Sequence, residues 1–271
     1  LTRKLTSLLA ACLVVLPGSA LAANFDVSLT GFIDQNGKQD TAGFRAVSEA
    51  IALAMQPRWS GPASTLGSRG FDVGFNWMHT GIDGGDEHWK IAVPDRTLRG
   101  LQTSQVHFRK GLPYSFELGG TVSALNDSRL YGVGFELKWA FVESYKYAPD
   151  FGVRNHVSTT LGSRDLSLLN AGIDTVMSKS FGILGVVQAT PFMGYNFSYT
   201  QARSHVLGVF EPGEVELDTD IIDAKHIFSH RIVLGLALHA SWAELGFEAA
   251  LPAKDEGDTV PTYTTRLGLQ F

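Results

Sequence analysis

From Phe71 onward the chain alternates. Phe71, Val73, Phe75 and Trp77 fall on one side of the pattern, and Asp72, Gly74, Asn76 and Met78 on the other. The same period of two returns from Tyr131 to Phe141, from Val187 to Tyr199, from Ile232 to Leu238, from Leu245 to Leu251, and over the last nine residues, Tyr263 to Phe271. Side chains two apart share one face of a strand, so each stretch is predicted to be a strand with one apolar and one polar face. About ten strands are predicted, most of them roughly 9 to 16 residues long, whereas strands of water-soluble domains cluster near 5 to 6.

The polar faces decide what kind of sheet this is. They carry Asp72, Arg109, Glu117, Glu136, Lys138, Arg154, His156, Asp174, Arg231, Glu244, Glu248 and Arg266, interspersed with Gly, Ser and Thr. Long strands with one apolar face and one charged face are the pattern of a membrane-spanning barrel, apolar toward lipid and polar toward the lumen. Backbone groups in lipid need partners, so such a sheet must close. The predicted fold is a closed antiparallel transmembrane β-barrel of about ten strands, ten to twelve, with those twelve residues lining the lumen. Gly235 is expected to face the same lumen, where a small added side chain should be tolerated. The connections alternate in length. Short turns are expected near 110–113, 144–150, 179–182 and 240–242; the longest loops, 80–100 and 201–225, both fall at the other end. Trp139, Phe141, Tyr114, Trp242 and Phe271 form one aromatic rim and Trp77, Tyr131, Tyr199, Phe228 and Tyr263 the other, as expected of girdles at two interfaces.

The chain ahead of Phe71 reads differently. Arg3 and Lys4, the apolar run Leu5 to Leu16, and Ala20-Leu21-Ala22 match a cleaved secretory signal, assigned to residues 1–22. Phe44, Val47, Ile51, Ala54 and Met55 then recur at helical spacing, with Asp40 or Thr41 placed to cap the start and Pro57 to end it. The helix is about as wide as a ten-stranded lumen, about 10 to 12 Å with side chains. It is therefore placed at the periplasmic mouth, in a segment 23–69 followed by the barrel, 70–271; with twelve or more strands it would become a plug. Signal removal takes away Cys12, the one cysteine, and two cations, so the net charge of −5 becomes −7. That sign argues against a nucleic-acid partner.

The final strand resembles the C-terminal signal of Gram-negative outer-membrane barrels: a terminal Phe271 with Leu269, Leu267 and Tyr263 two, four and eight positions before it. The resemblance implies location in the outer membrane, delivery by the barrel assembly machinery, and outer-membrane lipid and lipopolysaccharide as surroundings. A short helix before a barrel is similar to long-chain fatty-acid (FadL-type) transporters, although this chain is far shorter. His156, Ser158 and Asn170 on consecutive strands resemble the spacing in outer-membrane phospholipase A, where a His activates a Ser and an Asn orients the His. Here Thr159-Thr160 follows the Ser where that family has Asn-Gly, and the alternation turns His156 and Ser158 away from lipid. His226 and His230 have a zinc-protease spacing but sit on a strand and lack the adjacent Glu.

The expected role is non-enzymatic: a narrow channel or transporter for an unidentified small or apolar solute. A structural surface protein is the alternative, and a phospholipase-like hydrolase a lesser one. No tightly bound cofactor is expected. Glu214, Glu216, Asp218 and Asp220 form a run of carboxylates at every second position. Like charges on one strand face repel unless cations sit among them. The ladder is read either as a solvated face or as a weak site for calcium or magnesium, both of which take oxygen ligands.

Overall fold

The structure is a computed structural model that describes residues 27–32, 40–59, 61–94, 96–163, 165–183, 185–204, 225–253 and 260–271. The signal segment and the carboxylate ladder at 214–220 lie outside the described residues.

A 3-10 turn (Thr30–Phe32) precedes helix α1 (Thr41–Met55). Strand β1 (Phe71–Thr80) follows, then the short helix α2 (Glu87–Ala92) within the first long connection. The remaining strands are β2 (Leu101–Leu112), β3 (Phe116–Leu125), β4 (Tyr131–Val142), β5 (Asp150–Leu161), β6 (Leu166–Ser178), β7 (Phe181–Ile183), β8 (Val187–Ser204), β9 (Lys225–Ala240), β10 (Ala243–Pro252) and β11 (Thr262–Gln270). Consecutive strands pair antiparallel except β6 and β7; β6 pairs instead with β8, and β1 pairs with β11, closing a ring of ten. β7 lies outside the ring: three residues folding back on the start of β8, Phe181 opposite Ala189. Alternation cannot reveal a strand that short.

The seam between β1 and β11 is registered from Asp72–Gln270 to Thr80–Thr262 and extended by Phe71 and Phe271, which exchange backbone hydrogen bonds. That end of the barrel, the terminus end, also carries the tight turns. Between β9 and β10 only Ser241 and Trp242 intervene, with Ser241 in the left-handed region at φ 57°, as a two-residue hairpin with a mirror-image turn requires. The long connections lie at the opposite, loop end.

Burial is inverted relative to a water-soluble protein. Phe135 is 55% exposed while Arg154 is 2% and Arg266 1%. Outward faces are mainly apolar between the rims, and inward faces carry most of the charges. The outward aromatic rims include Trp139, Phe141 and Trp242 at the terminus end and Trp77, Tyr131, Phe228 and Tyr263 toward the loop end.

The helix is not at the mouth of the barrel nearest the terminus. α1 lies inside the ring near the loop end, touching β1, β2, β3, β6, β8 and β9. Asp40 caps it, its side chain accepting from Gly43 N at 3.0 Å. Phe44, Val47, Ile51 and Met55 pack against Leu101, Leu125, Leu166, Leu168 and Ile227 from the strand ends, with Trp89 and Val93 of the α2 region above. The expected placement failed on width. Gly43, Ala46, Ser48, Ala50, Ala52 and Ala54 make this helix slimmer than an average one. The wall is also thinned where it passes: a Cβ on Gly132 would lie 3.2 Å from Met55 Cε, and one on Gly134 2.7 Å from Pro57 Cγ.

Past α1, residues 56–59 and 61–70 run down the lumen to the terminus end and enter β1. The segment read as periplasmic is thus the barrel's plug. A second apolar cluster, Trp59, Ala63, Val176, Phe192, Val233, Ala237 and Ala250, packs around it. Gly235 belongs to this packing. Its lumen orientation is as expected, but a Cβ there would fall 2.1 Å from Phe192 Cζ, so the position has no room.

Candidate functional site in the barrel lumen

All twelve residues expected to line the lumen are buried in it. Alternation explains this: each stands at an inward position of a strand whose neighbours in sequence face out. Six buried cations, Arg58, Arg109, Lys138, Arg154, Arg231 and Arg266, share the described interior with eight buried carboxylates. Buried ions persist only when paired and hydrogen-bonded, and the arrangement meets that demand in connected layers.

Arg154 is the hub of the middle layer. Its guanidinium reaches Glu136 at 2.7 Å and Asp174 at 2.6 Å. The same group donates to the carbonyls of Pro57 at 3.0 Å and Arg58 at 2.5 Å. Glu136 also takes His107 at 2.8 Å, and Asp174 takes the Asn196 amide at 2.5 Å. Asn196 in turn accepts from Arg231 at 3.0 Å. Arg58, on the plug itself, bonds back to the Leu53 carbonyl and reaches Met78 Sδ at 3.3 Å. A helix leaves its last carbonyls unpaired and partly negative. Here guanidinium groups sit at the end of α1 and along the carbonyls that follow it.

Toward the terminus end, Arg109 donates to the Trp59 carbonyl at 3.1 Å and lies 3.7 Å from Glu117. Lys138 donates to the carbonyls of Pro62 at 3.2 Å and Ser64 at 2.8 Å. Arg266 pairs with Asp72 and, at 3.1 Å, with Glu244. Glu117 accepts from Leu66 N at 3.2 Å, and Glu143, just past β4, accepts from Thr65 N at 2.8 Å. Burial works to raise the Glu143 pKa, but hydrogen bonds from Ser115 and Thr65 outweigh it and hold the carboxyl below its ordinary value of 4.5. Nearer the loop end, Glu49 of α1 accepts from Ser229 at 2.6 Å.

Cavities remain at the two ends. One of about 370 Å³ opens at the terminus end beside Arg109, Glu117, Lys138, Glu244 and Gln270. Another of about 370 Å³ lies at the loop end beside His79, Arg96, Arg99 and Asp127. The second lies against the outward-facing His79 and Gln102, outside the lumen.

His156, Ser158 and Asn170 all face the lumen. Ser158 stands opposite Asn170 in the ladder, but Asn170 donates to Thr200 at 2.8 Å, and His156 turns over Gly172 with its Nε2 3.8 Å from Asp174. No His156–Ser158 hydrogen bond occurs among the described residues, and both are sealed from the outward face. His226 and His230 face outward, bonded to Tyr199 and Tyr195 at 2.5 and 2.6 Å. Among the described residues no cluster of His, Asp and Glu is arranged to hold a metal.

The plug itself was not legible. Its contacts are mostly wall side chains to backbone carbonyls, which leave no residue signature. The one sequence signal was Arg58-Trp59 within a stretch otherwise rich in Gly, Pro and Ser.

No known family model and no curated protein matches the chain. Among solved structures, the barrel overlaps Ail, the attachment invasion locus protein of Yersinia pestis, at 12% identity and a TM-score of 0.28, over 74% of this chain and 97% of Ail. It overlaps the N-terminal β-barrel domain of Pseudomonas aeruginosa OprF at 8% identity and a TM-score of 0.28, over 76% and 99%. The KdgM porin gives 9% identity and a TM-score of 0.32, over 73% and 99%. At these values the likeness carries no information about activity. The fold stands on its own geometry: this chain is a closed, ten-stranded antiparallel β-barrel with its lumen filled from within.

Proposed function

We propose that the protein is a non-enzymatic outer-membrane barrel, closed at rest and serving a structural or surface role. The membrane reading is supported by the outward apolar belt, its aromatic rims, and the outward-facing Tyr263, Leu267 and Phe271 of the closing strand, the residues expected to be read by the assembly machinery. In this reading the terminus end faces the periplasm and the loop end the lipopolysaccharide layer. The closed state rests on one observation: Arg154, Arg109 and Lys138 hold five successive or near-successive carbonyls of the plug to the wall.

The narrow channel or transporter expected from sequence is retained as a second reading. The cavity at the terminus end favours it, since it opens into the lumen beside Arg109, Glu117 and Lys138, and displacing the plug would extend it. Single-channel recording on the folded protein separates the two. Silence at moderate voltage supports the closed barrel, and steady conductance overturns it. The hydrolase reading is tested by fatty-acid release from phospholipid micelles with calcium; activity lost in Ser158→Ala would displace the non-enzymatic assignment.

A further inference from the structure

The outward face is mainly apolar between its aromatic rims, and of its larger polar side chains there Tyr195 and His230 bond to each other, which leaves one unsatisfied break. Asn155 on β5 points outward and is exposed, between Leu137 of β4 and Ile173 of β6 in the ladder. Its strand neighbours on the same face are Val153 and Val157. Thr175, also outward and exposed, lies diagonally beside it on β6. Asn155 is the one carboxamide facing outward between the rims among the described residues, and neither side chain makes a hydrogen bond.

Depth follows from register. Trp139 of one rim pairs with Val153, two residues from Asn155, and Tyr131 of the other pairs with Leu161, six residues away. At about 3.3 Å per residue, Asn155 lies roughly 7 Å along the strand from one rim and 20 Å from the other. The side chain is too short to reach either interface. Neighbouring backbone groups are taken by the ladder, and acyl chains offer no partner. A bare amide in hydrocarbon is costly, and polar side chains there commonly bond across a protein–protein contact.

What fits is a group that both donates and accepts, presented at the same depth. Another primary amide does this, and a two-fold axis along the membrane normal brings Asn155 of a second copy to that depth without further adjustment. The surroundings allow close approach, since Val153, Val157, Ala171 and Thr175 are small and branched or short. We infer that the protein associates with a second copy of itself through the β5–β6 face, the two Asn155 carboxamides hydrogen-bonded across the axis. The inference rests on the membrane reading above, because in water the amide would be satisfied by solvent.

The test uses the full mature chain folded into phospholipid vesicles. Copies carry donor or acceptor dyes at a cysteine replacing the exposed Val186. Energy transfer is followed as lipid dilutes the protein. Wild type should show half-maximal transfer at a density at least tenfold lower than Asn155→Leu, with Asn155→Gln between them. Val157→Cys should cross-link to its own copy, and Phe247→Cys, on β10, should not. Vesicle flotation and heat-modifiable gel migration report insertion separately. Failure to insert counts against the membrane reading. Inserted wild type without transfer at any density, or equal transfer in wild type and Asn155→Leu, overturns the dimer.

Discussion

Replacing Arg154 with alanine should loosen the plug, and the structure sets the scale. The guanidinium serves Glu136, Asp174 and the carbonyls of Pro57 and Arg58 at once. Removing one member of a buried ion pair costs about 3–5 kcal/mol, because the partner charge is left behind. Two features moderate this. Glu136 keeps His107 at 2.8 Å, and Asp174 keeps Asn196 at 2.5 Å. One adds to it: two buried carbonyls lose their donor, each worth about 1 kcal/mol or more. The net expectation is about 3–5 kcal/mol. Arg154→Lys should recover part of that, since an ammonium lacks the fork that bridges two carboxylates. Urea unfolding from vesicles, read by tryptophan emission and by heat-modifiable migration, measures the loss. Conductance measured in parallel shows whether the lumen opens. A cost below about 1 kcal/mol, the scale of an exposed ion pair, together with unchanged silence, would refute the idea that this network holds the plug.

Three further outcomes are expected. Leu236→Arg, on the outward face, should cost about 2–4 kcal/mol near the midplane, and Gly235→Ser about 1–3 kcal/mol by overpacking against Phe192; a neutral Gly235→Ser in vesicle-folding assays would contradict the lumen packing. Deleting Phe271 removes both hydrogen bonds that it exchanges with Phe71 and one rim aromatic, so the yield of heat-modifiable barrel should fall; wild-type yield would show that the closing strand tolerates the loss. Glu143 gives the pH dependence. Its folded pKa is depressed, so its contribution is fully present above the ordinary value of 4.5 and is lost as pH falls through the lower folded value. Proteolysis near Thr65 should therefore rise in acid, and in Glu143→Gln it should be raised already at pH 7 and lose that acid step.

The strands were legible because alternation is a local property, and each inward charge was placed by the same rule. α1 was legible from Asp40, the spacing of its apolar residues and Pro57. Its location was not, because an average helix width was applied to one lined with alanine, passing a wall opened at Gly132 and Gly134. Gly235 was placed on the right face, yet its crowding depends on Phe192, its partner on the neighbouring strand β8, which is distant in sequence. The fastening of residues 57–64 escaped for a different reason: carbonyls are common to every residue, so the sequence around them carries no mark of being held. β7 is too short for any period to show.

The plug also constrains how the molecule can be made. Val27 to Phe32 sit at the loop end, where Ser28 N bonds to the Ala92 carbonyl, and the chain then traverses the ring lengthwise before beginning its first strand at the other end. A ring closed early would have to admit a 15-residue helix into a lumen where its apolar side chains pack directly against the wall. The economical order is the reverse. The leading segment is carried across while the sheet is still an open ribbon, the strands wrap around it, and the β1–β11 seam is sewn last, with the filling as the form on which the wall is shaped.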